Sequence, residues 1–187
     1  MTAILHLLGG NGVGKTTLMN TMKNTYKDVH GFSTGQILRK RYSPEYFQGQ
    51  AAPESTEAEA LEIYKEQIRD ATFLNPETKL IISDGQPRKA SQVNIVTGIF
   101  PMHQRDFLLM HLPHEMRKHR LSVRDQHDDA ALDLAMERLN GDYRNTYECM
   151  IELARLRFHL DIVDLSIMSL GTLMYNLEKQ YGLELKD

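Results

Sequence analysis

Five short apolar runs punctuate the chain, at Ile4–Leu8, Val29–Ser33, Leu80–Asp84, Phe107–Leu112 and Leu160–Asp164, each followed by a turn or helix-capping signal. Runs of this length without strict alternation predict strands covered on both faces. Between them apolar positions recur at helical spacing, predicting helices over Lys15–Tyr26, Gly35–Arg41, Glu57–Phe73, Ala90–Thr97, His114–Leu121, Ala130–Arg157 and Leu170–Tyr181. Strand alternating with helix implies the α/β class, with a five-stranded parallel sheet between two helical layers. Tyr42–Ser55 mixes Ser, Pro, Gly and Gln without a period and reads as a loop.

Length and composition narrow this picture. At 187 residues and 41% hydrophobic content, with no repeat or low-complexity tract, the chain is expected to be one domain. A formal net charge of −3 supplies no global basic field, which argues against a nucleic-acid-coating role, so any anion site must be local. The single cysteine, Cys149, excludes an intrachain disulfide and any multi-cysteine zinc site, and suits a reducing compartment such as the cytoplasm. Ile4–Leu8 lacks a basic leader and is too short to span a bilayer, so it reads as a first strand.

The run after that strand carries the clearest chemistry. Gly9-Gly10-Asn11-Gly12-Val13-Gly14-Lys15-Thr16 matches G-x-x-x-x-G-K-[ST] between a predicted strand and a predicted helix. Glycines let backbone N–H groups turn inward around phosphate oxygens, and the helix N-terminus adds partial positive charge. Lys15 is placed for the β and γ phosphates of ATP and the Thr16 hydroxyl for Mg²⁺, with Gly10–Gly14 and Thr17 completing the cradle. The chain is therefore expected to have the three-layer P-loop fold. Asp84, ending the third run, is the natural second contributor to a Mg²⁺ site; the competing reading is a turn cap in an Asp-Gly pair.

A phosphate loop alone does not distinguish a kinase from a switch or a motor. Ser33-Thr34-Gly35-Gln36-Ile37-Leu38-Arg39 and Ser83-Asp84-Gly85-Gln86-Pro87-Arg88-Lys89-Ala90-Ser91-Gln92 make the choice. Together with Gly49–Pro53 they resemble the adenylate kinase family, whose patterns are S-T-G-x-x-x-R and D-G-[aromatic]-P-R-x-x-x-Q. The resemblance implies that Arg39 and Arg88 hold an acceptor phosphate, that Thr34, Gly85 and Gln92 line the acceptor, and that residues 34–75 form the acceptor-binding helical segment. Planar guanidinium forks suit a dianionic phosphate on physical grounds as well. Each arginine alone also reads as an ordinary solvated residue, but both lie just past strand ends, where open α/β sheets bind ligands.

Farther on, Arg120-Leu121-Ser122-Val123-Arg124, Asp128-Asp129 and Arg138-Leu139 are similar to the succession around that family's lid. This implies that Arg120, Arg124 and Arg138 join Lys15 and Arg88 around the transferring phosphoryl group, with a short lid over residues 120–138. The alternative is a basic amphipathic face over Met116–Arg124. The chain departs from the family in three places. Asp125–Asp129 lacks the arginine of G-R-x-D-D, Arg138 falls one residue late, and Gln86 replaces an aromatic.

His114-Glu115-Met116-Arg117-Lys118-His119 misses the H-E-x-x-H zinc pattern by one position. His6 reads as a hydrogen-bonded core residue, and Cys149, Met150, Met168 and Met174 as packing. The resemblance implies a nucleoside monophosphate kinase using ATP and Mg²⁺, with AMP or dAMP the favoured acceptor. Its partners would be those nucleotides and neither nucleic acid nor membrane, in a monomer or small homo-oligomer. Two alternatives stay open: another small phosphorylated acceptor, and a nucleotide-binding regulator with weak transfer.

Overall fold

The protein is described from a computed structural model covering residues 2–42, 54–125 and 129–186, with backbone only at 54–55, 124–125, 129–140 and 142. Element order is β1 (Ala3–Leu8), α1 (Lys15–Thr25), β2 (Val29–Ser33), α2 (Thr34–Arg41), α3 (Glu54–Phe73), β3 (Leu80–Asp84), α4 (Ala90–Gly98), β4 (Gln104–His111), α5 (His114–Asp125), α6 (Asp129–Arg155), β5 (Leu160–Asp164) and α7 (Leu170–Tyr181). The five strands form one parallel sheet in the order β2-β3-β1-β4-β5.

Both faces of this sheet are covered, and β1 shows why its sequence lacks alternation. All six of its residues are buried. Leu5 and Leu7 pack with Leu18, Met19 and Met22 of α1 and Leu173 and Leu177 of α7. Ile4, pointing the other way, joins Tyr64, Ile68 and Ala71 of α3 and Val96 of α4. Leu8 completes that second layer with Val93, Phe107 and, from α6, Cys149 and Leu153. Cys149 is thus a packing residue.

Several boundaries differ from the sequence reading. β4 starts at Gln104, three residues before the apolar run, because strand pairing needs only backbone groups and Ala3, Ile4 and Leu5 of β1 pair with Gln104, Arg105 and Asp106. α3 begins at Glu54, and α5 continues past Leu121 to Asp125. The stretch assigned to a short lid is therefore carried largely by the end of α5 and the start of α6. Residues 126–128, and residues 43–53 of the expected loop, lie outside the described residues. No helix among the described residues is long and apolar enough to cross a membrane.

Beneath the carboxyl edge of the sheet, one polar chain crosses the core. Arg105 donates to the Phe100 carbonyl at 2.9 Å and to the Tyr64 hydroxyl at 3.4 Å. That hydroxyl lies 3.5 Å from His6 Nε2, and His6 Nδ1 lies 3.2 Å from the Gln86 carbonyl. A carbonyl only accepts, so the neutral ring carries its proton on Nδ1 and takes the tyrosine hydrogen at Nε2. The ring stacks on Phe107 at 4.7 Å and is fully buried. Burial, and after it the Arg105 charge, push the imidazole down from 6.5 to about 3.

His6 thus stays neutral in the folded chain while the unfolded chain protonates it below 6.5. Stability contributed here is complete above 6.5 and is lost as pH falls from there toward 3. Urea unfolding of the wild type is expected to lose about 2 kcal/mol through this group between its unfolded value and about pH 5. His6→Leu should flatten that part of the pH profile, and a slope unchanged by the substitution would contradict the assignment.

Candidate active site

The parallel register delivers Leu7, Ser33 and Asp84 to the same sheet edge, since Leu7 of β1 and Ser33 of β2 both pair with Asp84 of β3. The loop following β1 fills that edge. Gly9 has φ of +129°, and a Cβ there would sit 2.4 Å from the Met110 carbonyl oxygen of β4, so only glycine fits against this backbone. Gly14, in the left-handed region, caps α1 without a side-chain acceptor, and α1 has no acidic residue in its first turn. Its first N–H groups and its dipole are therefore directed at whatever occupies the loop.

Lys15 folds over the loop, its ammonium donating to the Gly9 carbonyl at 2.6 Å and the Gly10 carbonyl at 3.0 Å. Thr16 donates its hydroxyl hydrogen to Asp84 Oδ2 at 2.6 Å. A hydroxyl and a carboxylate at the phosphate cradle are hard oxygen donors of the type that Mg²⁺ prefers. Asp84 itself is buried. Among the described residues no cluster of three or more His, Cys, Asp and Glu gathers elsewhere to hold a metal.

Two segments meet beside this pair. Ser33 caps α2 by accepting from the Gln36 N–H at 3.4 Å, which starts the helix at Thr34. Gly85, with φ of +105°, brings its backbone so close to the buried Thr34 that a Cβ would lie 2.6 Å from Thr34 Oγ1. The Arg39 guanidinium curls back over Gly35, with Nη1 3.5 Å from where a Cβ on that glycine would sit. The Gln86–Pro87 peptide is cis, and the turn leads to the exposed Arg88.

Gln92 lies in the first turn of α4. It is buried, and its side-chain oxygen accepts from the Arg88 N–H at 2.8 Å and the Lys89 N–H at 3.3 Å. Lys89 in turn pairs with Glu57 of α3, tying the turn to the helical segment.

Of the lid-side arginines, Arg120 reaches the loop, with Nη1 donating to the Val13 carbonyl at 3.5 Å. Arg124 lies on α5 and Arg138 on α6, with side chains outside the described residues. Among the remaining loop residues, Asn11 and Thr17 are exposed, and Gly10, Gly12 and Val13 complete the turn. Sequence reasoning overlooked Arg117, which is fully buried against Gly10. Its signal was spacing: Arg117 lies one helical turn before the buried Leu121, on the inner stripe of α5.

The structure is similar to that of a tunicamycin resistance protein from Deinococcus radiodurans, 18% identical, over 100% of this chain and 99% of that one, with a TM-score of 0.56. It is also similar to an unliganded sugar kinase from Janibacter sp. HTCC2649, 19% identical, over 96% of this chain and 94% of that one, with a TM-score of 0.62. No curated protein matches. Both structural likenesses extend over nearly the whole chain and show a shared fold. Residues 8–135 match the family model described as an AAA domain, AAA_17, which takes in the phosphate loop, the segments carrying Arg39 and Arg88, and α5. That match is broader than the adenylate kinase family suggested by the motifs. With more than half of its length inside that model, the chain belongs to the AAA domain family AAA_17, on a P-loop fold.

Proposed function

We propose that the protein is an ATP-dependent nucleoside monophosphate kinase, transferring the γ-phosphoryl group of ATP to a monophosphate, with AMP or dAMP favoured. The observation that carries this reading is the approach of Gly85 to Thr34 at the edge where Thr16 meets Asp84. It sets two segments with acceptor-type arginines beside a phosphate loop. In this reading the loop N–H groups and Lys15 hold the donor phosphates, exchanging the Gly9 and Gly10 carbonyls for phosphate oxygens. Arg39 and Arg88 grip the acceptor phosphate, and Arg120, with Arg124 and Arg138, offsets charge on the group in flight.

An acceptor phosphate oxygen forms the new bond to the γ-phosphorus, and the bond to the β–γ bridging oxygen breaks, giving ADP and a nucleoside diphosphate. No general base is required, because a phosphate with a second pKa of about 6 is already largely ionised at neutral pH. Thr16 and Asp84 would hold Mg²⁺, which would supply positive charge to offset that of the donor phosphates.

A second reading, transfer to another small phosphorylated acceptor, is favoured by two observations. Gln86 is buried with its side-chain oxygen unpartnered among the described residues, where the adenylate kinase pattern has an aromatic. Gln92 has committed its side-chain oxygen to the Arg88–Lys89 turn, leaving only its amide nitrogen for a base.

An ADP-release assay with Mg·ATP against ribo- and deoxyribonucleoside monophosphates tests the proposal. One monophosphate is expected to accelerate ADP formation, and Lys15→Ala should lower kcat by about 10² or more. A panel flat for every monophosphate, despite ATP binding, overturns the kinase reading as stated. Gly85→Ala, whose new methyl group meets Thr34 Oγ1, is expected to raise the acceptor KM while leaving ATP affinity within about threefold of wild type, because the strain of about 1–3 kcal/mol falls on the acceptor turn. An equal loss for ATP would separate that turn from the acceptor site.

A further inference from the structure

Arg117 has no role in the proposed transfer, yet it is the largest fully buried side chain among the described residues. Its guanidinium carbon sits 4.0 Å above the centre of the Tyr143 ring. A guanidinium carries five N–H groups in one plane. None of its three nitrogens has a hydrogen-bond partner among the described residues. On one side Nη1 is pressed against Gly10, so closely that a Cβ there would be 2.0 Å away, and that Cα offers no acceptor. Guanidinium is not neutralised by losing a proton at any working pH, so the charge persists and calls for an anion.

A cavity of about 200 Å³ adjoins this group, between the back of the phosphate loop, the end of β4 and α6. Its walls are chiefly apolar, from Val13, Met110, Leu112, Tyr143 and Met150, and among the described residues Arg117 is the one arginine or lysine lining it. One cation in an apolar chamber matches one negative charge. A phosphate dianion would leave surplus oxygens facing methionine and leucine. A carboxylate instead pairs both oxygens with a guanidinium fork and presents no further charge.

We propose that this cavity is a second ligand site, which takes a small monocarboxylate with an apolar or aromatic body, its carboxylate paired with Arg117. The site lies behind the phosphate loop and is independent of which phosphoryl acceptor the protein uses. Gly10 forms part of both walls, since it belongs to the loop and is the residue against which Arg117 packs.

Isothermal titration of the full chain with benzoate, hexanoate and acetate tests this. Benzoate or hexanoate is expected to bind one-to-one, at least about tenfold more tightly than acetate, because the apolar body contributes as well as the charge. Binding should persist with Mg·ATP saturating, which separates the cavity from the phosphate loop. Arg117→Met should weaken benzoate at least about tenfold by removing a charged hydrogen-bond partner. Met150→Trp, which fills the chamber and keeps Arg117, should block it, so the test survives if one variant fails to fold. A flat titration with all three acids, displacement of benzoate by ATP, or benzoate affinity unchanged in a folded variant would overturn the assignment.

Discussion

The hydrogen bond from Thr16 to Asp84 is the contact around which the site is organised. It joins the first turn of the helix after the phosphate loop to the last residue of the third strand, so α1 and β3 share one fixed point. That contact depends on the register that pairs Leu7 with Asp84, and shifting the register would carry the aspartate away from the threonine. Parallel strands end on a common edge, which is why residues distant in sequence, Ser33, Asp84 and Gly9, meet at one place.

Beneath that edge the support is polar as well as apolar. The chain from Arg105 of β4 through Tyr64 of α3 and His6 of β1 ends on the Gln86 carbonyl in the turn after β3. Each link satisfies a group that would otherwise be stranded in the core, so the turn is held by directional contacts that apolar packing alone does not provide. The same turn is fixed from above by the Gln92 oxygen and laterally through Lys89 and Glu57.

Much of this was legible in the sequence. The apolar runs marked all five strands because both faces of each central strand need apolar residues, and the glycine-lysine-threonine loop marked its own position. The start of β4 was hidden because Gln104, Arg105 and Asp106 pair through their backbones while polar partners satisfy their side chains. Arg105 reaches Phe100 and Tyr64, and Asp106 accepts from Tyr181 at 2.7 Å. The continuation of α5 to Asp125 was hidden because the one apolar residue after Leu121, Val123, is exposed, and helical periodicity fades without an apolar stripe. For the acceptor segments the sequence supplied residue types but not distances. That the Gln92 oxygen faces its own helix start follows from capping geometry, which a motif does not encode.

Under the proposed function, the ammonium of Lys15 resting on the Gly9 and Gly10 carbonyls has a kinetic meaning. A lysine left in open solvent would have to shed its hydration shell as phosphates arrive and regain it as they depart. Here the loop lends it two oxygens in the interim, so arrival and departure become exchanges of one set of acceptors for another. The partly desolvated cation is held at the mouth in advance, and the loop can recapture it while the outgoing nucleotide is still letting go. Such a handover lowers the penalty of being empty and, by the same amount, keeps the cradle from binding its occupant so tightly that release would become the slow event.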